Sequence, residues 1–355
     1  MNPPDAGPTR GDGSASGGSG GDEGAKIIVL RPRSRRAERE AARLSGPQPP
    51  PPPRREAGAH RAESPPEPDE PARPRSADER LADFLGFVRR RLTGDYTVDD
   101  FGFDPELTER VLLPAARLAY ERWFSIELRG LENIPMDGGA LVVANHSGVL
   151  PFDAVMLQVA VHDYAERWLR LLVADIVYEM PVLSHLVRKG GHTLAAPADA
   201  ARLLADGELV GVFPEGYKGI GKPFRDRYRL QRFGRGGFAT AAIRAHAPIV
   251  PCAIVGAEEI YPKIGDLRPL ARLLGVPYFP ITPIFPLLGP LGAIPLPTRW
   301  IIEFGAPIDT ADFDRASADD PVAVFNLTNE VRDTIQQQLS RLVVERGSVF
   351  RRDPG

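Results

Sequence analysis

The sequence holds one cysteine in 355 residues, so neither an internal disulfide nor a multi-cysteine zinc site can be built from it. That residue, Cys252, stands in the apolar run Ile249–Val255 and reads as a packed strand residue, not a nucleophile. A basic excess is also missing. Lys and Arg number 44 against 47 Asp and Glu, a net charge of -3, which argues against a nucleic-acid partner. No apolar run reaches the ~20 residues of a membrane-spanning helix, so any contact with a bilayer is expected from its surface. No grouping of His, Cys and carboxylates has metal-site spacing, and neither metal nor cofactor is expected. The first residues lack the basic start and apolar run of a secretory signal, which points to a cytoplasmic location.

Aromatic residues are absent from positions 1–75, which contain 15 Pro and 10 Gly. Such a stretch cannot bury enough apolar surface to offset the entropy of ordering and is expected to be a disordered tail. Within it, Ile27-Ile28-Val29-Leu30 and the arginines that follow read as a solvated arm, and Gly17-Gly18-Ser19-Gly20-Gly21 lacks the strand and helix that a hydrolase serine motif requires. Residues 76–124 carry two helical patterns, about 77–92 and about 105–123, with a kink expected at Pro114. Strand-length apolar runs follow at 124–129, 140–144, 169–174, 209–213, 249–255 and 299–304. Helical stretches near 151–162, 176–188, 197–206, 236–246 and 321–346 separate them. This alternation predicts an α/β fold with a mostly parallel central sheet flanked by helices, in a single folded unit running to about residue 350.

Two clusters carry chemistry. In the first, the apolar run Ala140–Ala144 ends in Asn145-His146-Ser147-Gly148, which places an imidazole at the carboxyl edge of a sheet, where open α/β folds bind ligands. Pro151 suits a helix's first turn, so Asp153 would lie near the positive end of that helix, able to hold the His146 ring if the loop folds back. A histidine so held can take a proton from a hydroxyl group. In the second cluster, the run Leu209–Phe213 enters Pro214-Glu215-Gly216. Seven basic residues follow against the single acid Asp226: Lys218, Lys222, Arg225, Arg227, Arg229, Arg232 and Arg235. Such density in a net acidic chain suggests a site for phosphate or an anionic headgroup.

Taken in order, Asn145-His146-Ser147 with Asp153, Phe213-Pro214-Glu215-Gly216 and Ala247-Pro248-Ile249-Val250-Pro251 resemble the glycerophospholipid acyltransferases of the lysophosphatidic acid acyltransferase type, over roughly residues 125–307. The resemblance implies an acyltransferase-like domain over 125–350. It implies transfer of a fatty acyl group from acyl-CoA or an acyl-carrier protein to the hydroxyl of a lysophospholipid or related glycerolipid. It assigns His146 as general base, Asp153 as its orienting partner, and Glu215 with Gly216 to the phosphorylated acceptor. Asn145, Ser147, Phe213, Pro214, Lys218, Lys222 and Arg225 complete the expected substrate-binding set. Two departures stand out. Six residues separate His146 from Asp153 where the family has four, and Gly190–Pro197 lacks the arginine of the family's second block, His192 being the nearest polar substitute. A neutral acceptor, such as diacylglycerol or a long-chain alcohol, and a non-catalytic lipid-binding role are the alternative expectations.

Residues 276–297 are apolar but broken by seven prolines, which excludes a regular spanning helix. They are expected to form an apolar lid or interfacial wedge. The helix carrying Phe84, Leu85, Phe87 and Val88 beside Arg89, Arg90 and Arg91 is expected to assist at the same surface, the inner face of the cell membrane.

Overall fold

A computed structural model describes residues 76–350; the expectations for the tail at 1–75 fall outside them. The chain starts with helix α1 (Ala77–Thr93), where Ser76 and Glu79 exchange side-chain and backbone hydrogen bonds at the amino end and Gly94 turns left-handed at the other. Strand β1 (Ser125–Arg129) follows α2 (Leu113–Arg122). The kink expected at Pro114 lies one turn earlier, as a π-helical turn over Thr108–Leu112 in which the Leu113 N–H reaches back to the Thr108 carbonyl. A proline ring crowds the carbonyl four residues before it, and a widened turn relieves the clash.

The remaining elements are β2 (Ala140–Ala144), α3 (Phe152–Ala165), β3 (Leu169–Val173), α4 (Pro181–Lys189), β4 (Thr193–Leu194), α5 (Pro197–Ala205), β5 (Leu209–Val212), α6 (Gly237–Ala245), β6 (Ile249–Val255), β7 (Gly265–Asp266), β8 (Pro280–Ile281), β9 (Arg299–Phe304) and α7 (Pro321–Arg346). The helix expected at 176–188 is split, because Pro181 starts α4 and leaves a separate turn at Asp175–Tyr178. Seven strands form one sheet in the order β1-β9-β6-β2-β5-β3-β4, and β7 pairs with β8 apart from it. Every neighbouring pair in the large sheet is parallel except β6 with β9. The fold is therefore α/β with a mostly parallel sheet.

All residues of β2 and β6 are buried, as expected of central strands covered on both faces. Successive side chains alternate between two cores: Ala140, Val142 and Ala144 join Met156, Val159 and Ala160 of α3, while Leu141 and Val143 join Leu203, Ala242 and Leu339 of α5, α6 and α7. Leu113, Tyr120 and Phe124 belong to the first of these cores, so the segment before β1 packs into the same interior. Cys252 is buried in it too, and burial pushes its thiol pKa upward, which makes a thiolate unfavourable. Arg90 and Arg91 form ion pairs with Glu106 and Asp104, while Phe84 and Leu85 of the same helix are exposed.

The topology matters because β2, β5, β3 and β6 all end on one sheet edge. A buried fork secures the far side of that edge. Arg346 at the end of α7 donates to both carboxylate oxygens of Glu259, at 2.5 and 2.6 Å, and to the Arg299 carbonyl at 3.2 Å. Removing one partner strands the other charge away from water, so Arg346→Ala should lower unfolding free energy by about 3–5 kcal/mol in urea titration, while the paired change Arg346→Met with Glu259→Leu costs less.

Candidate active site

The loop after β2 is built around a strand end that cannot slide. Asn145 is fully buried and uses its amide in both directions, donating to the Ile254 carbonyl at 3.0 Å and accepting from the Ile254 N–H at 2.7 Å. This ties the end of β2 to β6 and sets where His146 leaves the sheet. The six residues that follow fold back through Gly148, whose φ of 78° belongs to the left-handed region that glycine adopts without strain, and Pro151 caps α3. Asp153 thereby arrives in the first turn of α3 with no exposed surface. The longer His-to-Asp loop still brings carboxylate and ring together.

His146 Nδ1 lies 2.7 Å from Asp153 Oδ2. The same oxygen accepts the Ser147 N–H at 2.7 Å, with Ser147 Oγ at 3.4 Å, and Oδ1 accepts the Ala154 N–H at 2.8 Å. A carboxylate surrounded by N–H donors acts as acceptor, which places the imidazole proton on Nδ1 and leaves Nε2 as the basic nitrogen. The ring stacks on Phe213, with centroids 4.5 Å apart.

The second cluster braces the first. Glu215 is buried, its Oε1 accepting the His146 N–H at 3.0 Å and its Oε2 the Gln231 N–H at 2.6 Å. Lys222 is also turned inward, its Nζ 3.6 Å from Glu215, 3.0 Å from Glu258 and within hydrogen-bond distance of the Arg229 carbonyl. Asn145, Ser147, Glu215 and Lys222, all expected at the substrate site, have polar atoms partnered inside the protein, where an unpaired amide or charge would be costly. Lys218 and Arg225 point outward, the latter 3.7 Å from Asp226. Pro214 lines a separate cleft of about 160 Å³ with Arg235 and Gly236. Gly219 packs so closely that a Cβ there would stand 2.7 Å from Glu215 Cβ and 3.0 Å from His146 Cβ, so a side chain would displace the histidine.

His146, Phe213 and Gly216 open on a cavity of about 690 Å³ whose other walls are almost wholly apolar. Leu171, Val177, Met180 and Val187 form one side, and Val276, Tyr278, Phe279 and Phe285 the other. Among the described residues, no lysine or arginine lines it. His192 does, and burial together with the nearby Arg170 holds its imidazole pKa down to about 4, so it is uncharged at neutral pH. Sequence reasoning did not single out Tyr278, whose hydroxyl donates to the Val149 carbonyl at 2.8 Å and pins the cavity wall to the histidine loop. Its signal was one of two hydroxyls, with Thr282, in a proline-rich apolar run. Lys263, which donates to the Gly221 carbonyl at 2.7 Å and sits over the Tyr278 ring, carried no comparable signal.

Glu258 was likewise unforeseen. Burial pushes its carboxyl up to about 7 from an ordinary 4.5, against the opposing pull of Lys222. Because the folded state keeps a proton that the unfolded chain has lost, this group's contribution is full below about pH 4.5 and disappears as pH rises through 7, a change of roughly 3 kcal/mol. Glu258→Gln should flatten that part of the stability profile when wild type and variant are compared by urea midpoint from pH 4 to 8; parallel profiles would refute the assignment.

A family model described as Acyltransferase matches residues 125–255. Among curated relatives, an uncharacterized protein of Mycobacterium tuberculosis is 59% identical over 281 residues, covering 79% of this chain and 78% of its own. One of Mycobacterium leprae is 60% identical over 274 residues, covering 77% and 75%. The human "DGAT1/2-independent enzyme synthesizing storage lipids" is 25% identical over 187 residues, 53% of this chain and 55% of that protein. Among solved structures, the 1-acyl-sn-glycerophosphate (LPA) acyltransferase of Thermotoga maritima aligns with a TM-score of 0.46 at 18% identity, over 73% of this chain and 88% of that one. Since the matched segment runs from β1 to the end of β6, and so takes in both the histidine loop and the Glu215 turn, this protein belongs to the acyltransferase family.

Proposed function

We propose that this protein is an O-acyltransferase that moves a fatty acyl group from an acyl-CoA or acyl-carrier-protein thioester to a hydroxyl group of a lysophospholipid or related glycerolipid. The observation that carries this reading is the 2.7 Å His146–Asp153 pair opening on a large apolar cavity. In the proposed reaction the acceptor hydroxyl gives its proton to His146 Nε2 as its oxygen attacks the thioester carbonyl. The tetrahedral intermediate then collapses, the carbon–sulfur bond breaks, and the imidazolium returns the proton to the departing thiolate. Asp153 holds the ring and offsets the charge that forms on it. Neither metal nor cofactor takes part in these steps.

A second reading concerns the acceptor. Among the described residues the cavity wall offers no cation for a phosphate, Lys222 is committed to Glu215 and Glu258, and Lys218 and Arg225 stand outside the wall. This favours an uncharged acceptor such as a long-chain alcohol or diacylglycerol, in keeping with the storage lipids named for the human relative. Peripheral attachment to the cytoplasmic face of the membrane belongs to the same proposal; among the described residues no helix is long and apolar enough to cross one.

Purified protein supplied with labelled acyl-CoA or acyl-carrier protein should acylate at least one of lysophosphatidate, diacylglycerol and a long-chain alcohol. His146→Ala should reduce that rate about 100- to 10,000-fold in a variant that still unfolds cooperatively. Turnover within twofold of wild type in a folded variant sinks the mechanism, and a wild type with no transfer to any acceptor favours lipid binding without catalysis.

A further inference from the structure

Between β6 and β9 the chain leaves the main sheet, makes the small β7–β8 ladder and returns at Thr298. One side of this excursion forms the cavity wall described above. The other side is left open among the described residues: Leu273 is 81% exposed, Leu287 83%, Leu291 66% and Ile264 66%. Large exposed apolar patches on otherwise well-packed proteins mark sites of contact with a partner or a membrane. The patch continues into the cavity mouth, because Leu150, Met180, Leu183 and Leu274 both line the cavity and remain exposed.

Charge narrows the choice of partner. The turn Arg268–Leu273 carries Arg268 and Arg272, both exposed and neither within ion-pair distance of a described carboxylate. Residues 267–298 contain no Asp or Glu at all. A second copy meeting this face symmetrically would set arginines against arginines, whereas a layer of anionic headgroups over hydrocarbon complements both the cations and the leucines. The prolines fit as well, since each removes a backbone N–H that would otherwise need a partner outside water.

We infer that the 264–294 excursion docks on an anionic lipid bilayer, with Leu273, Leu287 and Leu291 entering the hydrocarbon and Arg268 and Arg272 at headgroup level, so that lipid reaches His146 laterally through the apolar mouth. The lateral route rests on the acyl-transfer reading; the docking does not. The full chain should co-sediment with vesicles containing phosphatidylglycerol more strongly than with pure phosphatidylcholine vesicles. Replacing Leu273, Leu287 and Leu291 together by serine should weaken partitioning at least tenfold without lowering the thermal midpoint, and Arg268→Gln with Arg272→Gln should abolish the preference for anionic lipid. His146→Ala should bind vesicles as wild type does, so a chain that docks yet transfers nothing would fail the enzyme reading and leave docking standing. Unchanged partitioning of the triple-serine variant overturns the docking, as does a solution dimer that the same variant dissolves.

Discussion

One carboxylate organises the site. Asp153 has no contact with water, and a buried charge in that position is tolerable only if its oxygens are occupied by donors. Those donors come from the histidine loop, through Ser147 and the imidazole, and from the opening turn of α3, through Ala154. The favourable field at a helix amino end adds to the same effect. Because the ring is one of the required donors, its orientation is part of what makes burial of the charge possible. The geometry then depends on β2 ending at a fixed place, which the two hydrogen bonds between Asn145 and Ile254 ensure.

A second set of buried charges supports the loop from the opposite side. Glu215 takes the His146 backbone N–H, Lys222 stands between Glu215 and Glu258, and Glu258 receives the Tyr228 N–H. Interior ion pairs add little net stability, since desolvation cancels most of their attraction. What they give here is position, at a loop where Gly219 already leaves no room for a Cβ between Glu215 and His146. The cost falls on substrate recognition by charge. Lys222, which a reader of the sequence would assign to a phosphate, is used to hold the loop, and the cavity beside His146 is left apolar. In such surroundings the His146–Asp153 interaction is stronger than it would be in water.

The central strands of the main sheet were legible because each is an apolar run of strand length bounded by polar or glycine-containing turns, and the His146–Asp153 pair was legible because it follows such a run. Direction was not. Nothing in the alternation of side chains distinguishes a parallel from an antiparallel neighbour, so the reversal between β6 and β9 had no sequence signature. Two-residue strands such as β4, β7 and β8 fall below the length at which periodicity can be seen. The inward turn of Lys222 depends on Glu258, a partner distant in sequence on the loop after β6, and the local run of cations concealed it. Pro114 announced a kink, but the backbone placed the distortion in the preceding turn, where the steric conflict can be relieved.

The two halves of the cavity have different standing with respect to the family. The matched segment, 125–255, contains the histidine, the aspartate and the Glu215 turn, together with the wall formed by Leu171, Val177 and Met180. The facing wall, from Leu274 to Ala293, lies beyond it. Proton transfer needs only a fixed imidazole and a nearby hydroxyl, which the matched half can arrange by itself. On the acyl-transfer reading, the acceptor that brings that hydroxyl depends on the shape and polarity of both walls, the second being pinned to the first through the Tyr278–Val149 hydrogen bond. That bond, together with the one from Lys263 to the Gly221 carbonyl, links the part of the molecule that the family model matches to the part where acceptor selectivity has to be sought by experiment.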